Sequence, residues 1–284
     1  MKNILLSAIV AALVAFGIIH FQGTSAAVKE ETVYERVERT KTLRCGWNTE
    51  PPMLSVDANT GKVSGASVDI VERVASLLGW KVDWAEQAGW SEMVAGLRAD
   101  RYDLVCNGKW VFASQTQGGE FAMPIYFTPV HGYGRADETR FDGTLSQLNS
   151  DAFTVTSMDG EVNYYIARDH FPQAKRVEYP TMTDPGQMVL AVLTKKADVT
   201  FLPMFLGNDY MQKQPGTLKQ LTTKPIAVFD TAFMYKAGEA AFAGTINAAL
   251  RELHANGFID ATLTKYGVAP SISLRVADPY KLPN

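Results

Sequence analysis

Cysteine and histidine are both scarce in this chain, at two and four residues. His20, His131, His170 and His254 lie far apart and share no spacing that metal ligation uses, which argues against a histidine-built metal site. There is no basic block and no Lys/Arg-rich helix, and the formal net charge is -3, so nothing steers the protein toward nucleic acid. A Gly-x-Ser-x-Gly elbow, a P-loop and a His-Glu-x-x-His pair are all missing. No pair of acids or Ser-His-Asp set stands out either, so the enzyme classes marked by those motifs are set aside. Beyond residue 19 there is no second long apolar run.

The first such run is there. Lys2 precedes an uncharged apolar stretch over residues 4–19, and Ser25-Ala26-Ala27 follows as a small-x-small cleavage pattern. Residues 1–27 therefore have the layout of a secretory signal peptide. The competing reading is an uncleaved N-terminal anchor, for which the run is slightly short of the ~20 residues that span a bilayer. Either way the expected location is periplasmic, soluble or tethered. In such an oxidising compartment Cys45, in TLRCGW, and Cys106, in DLVCNG, could pair as a disulfide. The alternative is two small buried hydrophobes.

The remainder has ordinary globular composition, 46% hydrophobic and 20% charged. Residues 28–40 are charged and read as a linker or a short exposed helix. Apolar strands then alternate with helical patterns: strands over 42–47, 81–86 and 102–107, and helices over 67–79 and 90–100. The β-α-β-α-β order restarts at 153, with strands over 153–157, 175–179 and 197–202 and helices over 159–171 and 183–196. Asp159 is expected to cap the first of these helices, and Thr183 or Asp184 the second, with Pro185 in its first turn. Segments 124–135 and 225–236 are extended and aromatic-rich; two more helices, 239–255 and 257–266, precede a tail over 268–284. Two α/β units joined by two extended segments imply two lobes with a cleft between them. The expected lobes are 40–130 plus 232–284, and 134–228, with the extended segments as hinge crossovers.

The residues now carry a resemblance. TLRCGWNTEPPM, GASVDIVERVASLLG, WSEMVAGLRADRYDLVCNG, ADVTFL and LRELHANGFIDATLTKYG follow one another in the order and spacing of bacterial extracellular solute-binding family 3, the periplasmic proteins of amino-acid ABC transporters. The chain resembles that family over about residues 40–268. Met53 stands where the family has an aromatic, and Ala66 and Ser67 depart from its usual pair. The resemblance implies an α/β, two-lobed type II periplasmic-binding-protein fold, each lobe a mixed, mostly parallel sheet with flanking helices.

The resemblance also implies a site. The family's Thr-x-x-Arg, whose guanidinium forks onto the ligand α-carboxylate, falls on Phe112 and Gln115 when counted back from EFAMPIY. Its acid for the α-amino group falls near Pro203. Both charged anchors for a zwitterion are thus replaced, and Lys109 or Arg135 is the substitute cation to consider. Around the expected cleft stand Trp47, Asn48, Glu50, Trp90, Lys109, Trp110, Phe112, Tyr126, Ser157, Asp159 and Gly160. Each aromatic among them has core packing as its alternative, and Lys109 has a solvated position beside the cleft. The amides opening the helix after Ser157 could bind an anion, which Asp159 would disfavour.

Three functions remain. One is a monomeric binding protein that captures a small polar solute for the permease subunits of an ABC-type importer, with no cofactor. Another is a membrane-anchored sensory module reporting to a partner chain. The third is a dehydratase-like enzyme with Glu50, Glu92 or Asp159 as its acid or base.

Overall fold

The computed structural model describes residues 30–276 apart from 91, 114–115, 142–144, 160, 181–182 and 270–272. The expected signal or anchor, Gln115 and Gly160 lie outside the described residues.

Helix α1 (Val33–Thr40) begins with a capping box in which Thr32 and Glu35 satisfy each other's backbone amides. Val33 and Val37, four apart, are buried on one face. The charged stretch expected as a linker or exposed helix is therefore a helix docked by one side onto the first lobe. Its Arg36 donates to Asp103, a fully buried carboxylate that also takes the Arg44 amide at 2.7 Å and the Arg44 guanidinium at 2.9 Å.

The first lobe is laid down by β1 (Thr42–Trp47), the hairpin β2 (Ser55–Val56) and β3 (Val63–Ser64), α2 (Ala66–Leu77), β4 (Lys81–Gln87), α3 (Met93–Arg98), β5 (Leu104–Trp110) and β6 (Gly119–Phe121). β1 pairs in parallel with both β4 and β5. Gly65 opens α2 at φ +138°, where a Cβ would stand 2.4 Å from the Met53 carbonyl oxygen, so only glycine allows that turn. In the segment LRADRYD, Tyr102 is a buried plug. Its hydroxyl donates to the Met93 carbonyl at 2.9 Å, and its ring lies where any side chain at Gly46 or Gly96 would clash. Asp103, the next residue, is the arginine acceptor already described.

Strand β7 (Tyr126–Arg135) leads into the second lobe: β8 (Thr154–Met158), α4 (Val162–His170), β9 (Lys175–Tyr179), α5 (Pro185–Leu193), β10 (Thr200–Pro203), α6 (Met204–Lys213) and β11 (Leu218–Gln220). β8 and β9 pair in parallel, and Val155 bridges in parallel to Val199. Asp184 caps α5 by accepting from the Gly186 amide, with Pro185 in the first turn. Strand β12 (Ala227–Lys236) then returns the chain to α7 (Ala240–Ala255) and α8 (Phe258–Lys265). Phe242, Ile246, Leu250, Ile259 and Leu263 of these helices share one core with Leu43, Ile70, Val74 and Leu104 of the first lobe. Of the tail, Leu274 exchanges both backbone hydrogen bonds with Phe127.

The two extended segments pair with each other, antiparallel, from Ala227↔Val130 to Thr231↔Tyr126. On one side β7 takes β10 and β11; on the other, β12 takes β5 and β6. The order β10-β7-β12-β5-β1-β4 is thus continuous through both lobes. Helix α6 has no counterpart among the elements expected from the sequence. Its segment MFLGNDYMQK has no side-chain cap and carries Gly207 in its middle, which sits against the Tyr133 ring.

Candidate functional site

A cleft of about 780 Å³ opens between the lobes. The first lobe contributes Asn48, Glu50, Trp90, Lys109 and Trp110, and the second Asp159, Glu161, Met188, Pro203 and Phe205. An inner pocket of about 100 Å³ continues it, walled by Glu50, Lys109, Phe112, Tyr126, Glu161 and Phe205 among others.

Several elements aim these groups. Asn107, fully buried on β5, accepts from the Asn48 amide at 2.8 Å and donates to the Asn48 carbonyl at 2.9 Å. This two-way clamp holds the turn after β1, and the Glu50 amide is held in turn by the Leu54 carbonyl at 2.8 Å. Glu50 itself is half-buried, but its Oε2 is fully enclosed and has no hydrogen-bond partner among the described residues. Burial pushes its carboxyl up to about 7, against a hydrogen bond from Asn107 and the charge of Lys109. Lys109 stands with its ammonium 5.3 Å from the centre of the Trp90 ring, a cation–π contact. Burial lowers the pKa of Lys109, while the charges of Glu161 and Glu50 act the other way. Glu161 precedes the first turn of α4, and burial raises its carboxyl above the ordinary value.

Of the residues singled out in the sequence, Asn48, Glu50, Trp90, Lys109, Trp110 and Asp159 line the cleft, and Phe112 and Tyr126 the inner pocket. Phe112 is at the same time part of the second lobe's core, stacked on Tyr165 at 4.5 Å and edge-on to Phe229 at 5.3 Å. Trp47 instead packs with Leu54 and Val68 inside the first lobe, its indole donating to the Trp84 carbonyl. Ser157 is buried within β8. Asp159 does not cap α4, which starts at Val162; it is exposed, and the backbone amide of Met158 is taken by the Asn163 side chain.

Pro203 lines the cleft, at the end of β10. Arg135 is no substitute anchor, because it is committed to the Val192 carbonyl at 3.0 Å and the Glu138 carboxylate at 3.1 Å. Glu161 and Phe205 line the cleft and the inner pocket, a placement that the sequence alone does not reveal. Phe205 sits on α6, which carries no sequence signal of its own; Glu161 has only its place two residues after Asp159 to mark it.

Among the described residues no helix is long and apolar enough to cross a membrane. The model of the bacterial extracellular solute-binding proteins, family 3, matches residues 43–269. The L-cystine-binding protein TcyA of Bacillus subtilis is 32% identical over 261 residues, 90% of this chain and 92% of that protein. The "Probable amino-acid ABC transporter-binding protein" of Haemophilus influenzae is 25% identical over 231 residues, 79% and 84% of the two chains. In fold, the chain is similar to an ancestral amino-acid-binding protein described as a precursor of cyclohexadienyl dehydratase. That likeness has a TM-score of 0.66 at 18% identity, over 83% of this chain and 99% of the other. With its two lobes, its paired crossover strands and a family match over nearly all of the described residues, this chain belongs to the bacterial extracellular solute-binding proteins, family 3.

Proposed function

We propose that this protein captures a small polar solute, an amino acid or a related compound, in the cleft between its lobes and hands it to the permease subunits of an ABC-type importer. The observation that carries the reading is the cleft itself, with polar and aromatic side chains contributed from both sides. A solute touching Glu50 and Lys109 on one lobe and Glu161 on the other makes its full set of contacts only when the lobes approach. Ligand binding and closure are then one equilibrium. The relatives named for amino-acid and L-cystine binding support the solute class and the transporter partner. The protein would act as a monomer in the periplasm, with the N-terminal run as its export signal. Native mass spectrometry of protein purified from its own host should reveal a co-purified small molecule, and small-angle scattering should show compaction on adding it back. Protein that neither carries nor compacts around any solute would refute the reading.

A second reading, an acid–base enzyme on the same scaffold, draws on Glu50, which holds a proton near neutral pH beside Lys109. Turnover of cyclic carboxylic acids that is lost on Glu50→Gln would favour it.

A further inference from the structure

The geometry points to an organic cation as the solute, its ammonium or guanidinium group received between Glu50 of the first lobe and Glu161 of the second, beside the rings of Trp90, Trp110 and Phe205. This narrows the solute-binding reading and rests on it.

The first support is charge. Among the described residues lining the cleft the only cation is Lys109, against the carboxylates of Glu50, Asp159, Glu161 and Asp184. A ligand carboxylate would have one buried ammonium to meet and two acids within its field. Among the described residues of these walls there is no guanidinium to outweigh them. An incoming cation meets the reverse balance.

The second support is the orphaned acceptor. Glu50 borders both the cleft and the inner pocket, and its Oε2 is enclosed and unpartnered among the described residues. A buried carboxylate oxygen is satisfied by a donor, and an N–H carrying positive charge is the strongest available. The third support is the wall. Lys109 over the face of Trp90 already shows that a ring in this cleft accommodates a cation. Trp110 and Phe205 extend the same kind of surface around the alkyl part of a ligand.

Binding would also move a proton. The groups facing Glu50 are the Asn107 amide and Lys109 from β5, Glu161 from the start of α4 and the Tyr126 phenol from β7. Glu50 shares its proton with solvent near neutral pH, so an arriving cation favours its ionised form and drives the proton out.

The test is a thermal-shift screen of small solutes in four charge classes: cationic, zwitterionic, neutral and anionic. Hits are followed by calorimetry at pH 7 in buffers of different ionisation enthalpy. Stabilisation confined to amines and guanidines is expected, with proton release on binding; comparing alkylammonium with alkylguanidinium probes tells the two head groups apart. Glu50→Gln should weaken binding by about tenfold or more and abolish the proton release. Lys109→Met should tighten binding. Glu161→Gln repeats the affinity test should Glu50→Gln fail to fold, and unfolding midpoints of the variants identify that case. Hits among anions or zwitterions, lost in Lys109→Met and untouched in Glu50→Gln, would overturn the cation assignment while leaving solute binding intact. No hit in any class, with no compaction, would overturn both.

Discussion

Thr128 and Thr231 share a hydrogen bond of 2.7 Å between their hydroxyls, buried where the two crossover strands run side by side. Thr128 belongs to the outgoing strand and Thr231 to the returning one, so this bond ties the connection between the lobes to itself. Replacing Thr128 with Val removes this bond from a buried site and leaves the Tyr126 phenol as the side-chain partner of Thr231, which should cost about 0.5–1.5 kcal/mol. The double variant should cost less than the sum of the two single ones. Urea unfolding of the four proteins in a double-mutant cycle reads the coupling; strict additivity would show that the two hydroxyls do not depend on each other.

Asp103 is the fully buried acceptor for Arg36 and Arg44, and through Arg36 it fastens α1 to the first lobe. Asp103→Ala leaves two guanidinium groups without their counter-charge. A loss of about 3–5 kcal/mol is expected from breaking such a pair, together with faster hydrogen exchange over residues 33–40. Unaltered exchange in that helix would mean that Val33 and Val37 hold it unaided.

Hydrogen bonds from Arg140, aided by the charges of Arg140 and Arg135, hold the carboxyl of Glu138 down at about 2. A depressed carboxyl adds stability above its unfolded pKa and loses it as pH falls through the folded one. The contribution should therefore be complete above about pH 5 and fade toward pH 2, on the order of 3 kcal/mol in total. Glu138→Gln should be less stable at pH 7 and show a flatter acid limb. Unfolding midpoints from pH 7 to pH 2 check this, and parallel curves for the two proteins would contradict it.

Cys45 and Cys106 form a disulfide between neighbouring parallel strands, with Cα atoms 5.5 Å apart and a separation of 61 positions in sequence. Closing a loop of that length restricts the unfolded chain by about 4 kcal/mol in the chain-entropy model. Cys45→Ala with Cys106→Ala should lose a stability of that order. Because both residues are fully buried, a reductant should reach the bond only as the lobe opens. Thiol labelling during denaturant titration should accordingly follow unfolding; labelling well before it would show a local opening at the strand ends.

Free α-amino acids should bind weakly. With Arg135 engaged elsewhere and no arginine among the described residues lining the cleft, the carboxylate of a zwitterion meets no guanidinium and lies in the field of Glu50 and Glu161. Burying an unpaired charge costs several kcal/mol, enough to remove micromolar affinity at about 1.4 kcal/mol per decade. Calorimetry against the twenty amino acids is the measurement. Gln115→Arg combined with Pro203→Asp should shift preference toward them. Tight binding of one of the twenty by the unaltered protein would show that its carboxylate is met some other way.

The strands and most helices are legible in the sequence because their signals are local. Lys175–Tyr179 is a strand at the limits its sequence suggests, and Asp184-Pro185 announces the start of α5. The crossovers are legible as aromatic-rich extended runs that break the alternating pattern. Legibility fails where an assignment depends on a distant neighbour. Trp47 ends its strand just as a cleft residue would, yet Leu54 and Val68 enclose it. Phe112 lies in a first-lobe loop but packs on the rings of Tyr165 and Phe229, far along the chain. Helix α6 owes its place to the fit of Gly207 against Tyr133, and Phe205 reaches the cleft only through that helix. Glu161 carries no motif; its proximity to Lys109 exists only after both lobes have formed.

The five tryptophans are divided unevenly. Trp90 and Trp110 line the cleft, whereas Trp47, Trp80 and Trp84 are held in or against the interior of the first lobe. The molecule thereby carries an optical gauge of its own occupancy. Emission from the cleft pair will respond to a solute and to the water it displaces, while the other three supply a steady reference from the same chain. A titration followed by intrinsic fluorescence, with Trp90→Phe and Trp110→Phe assigning the changing component, needs no label and serves equally for any solute that enters the cleft.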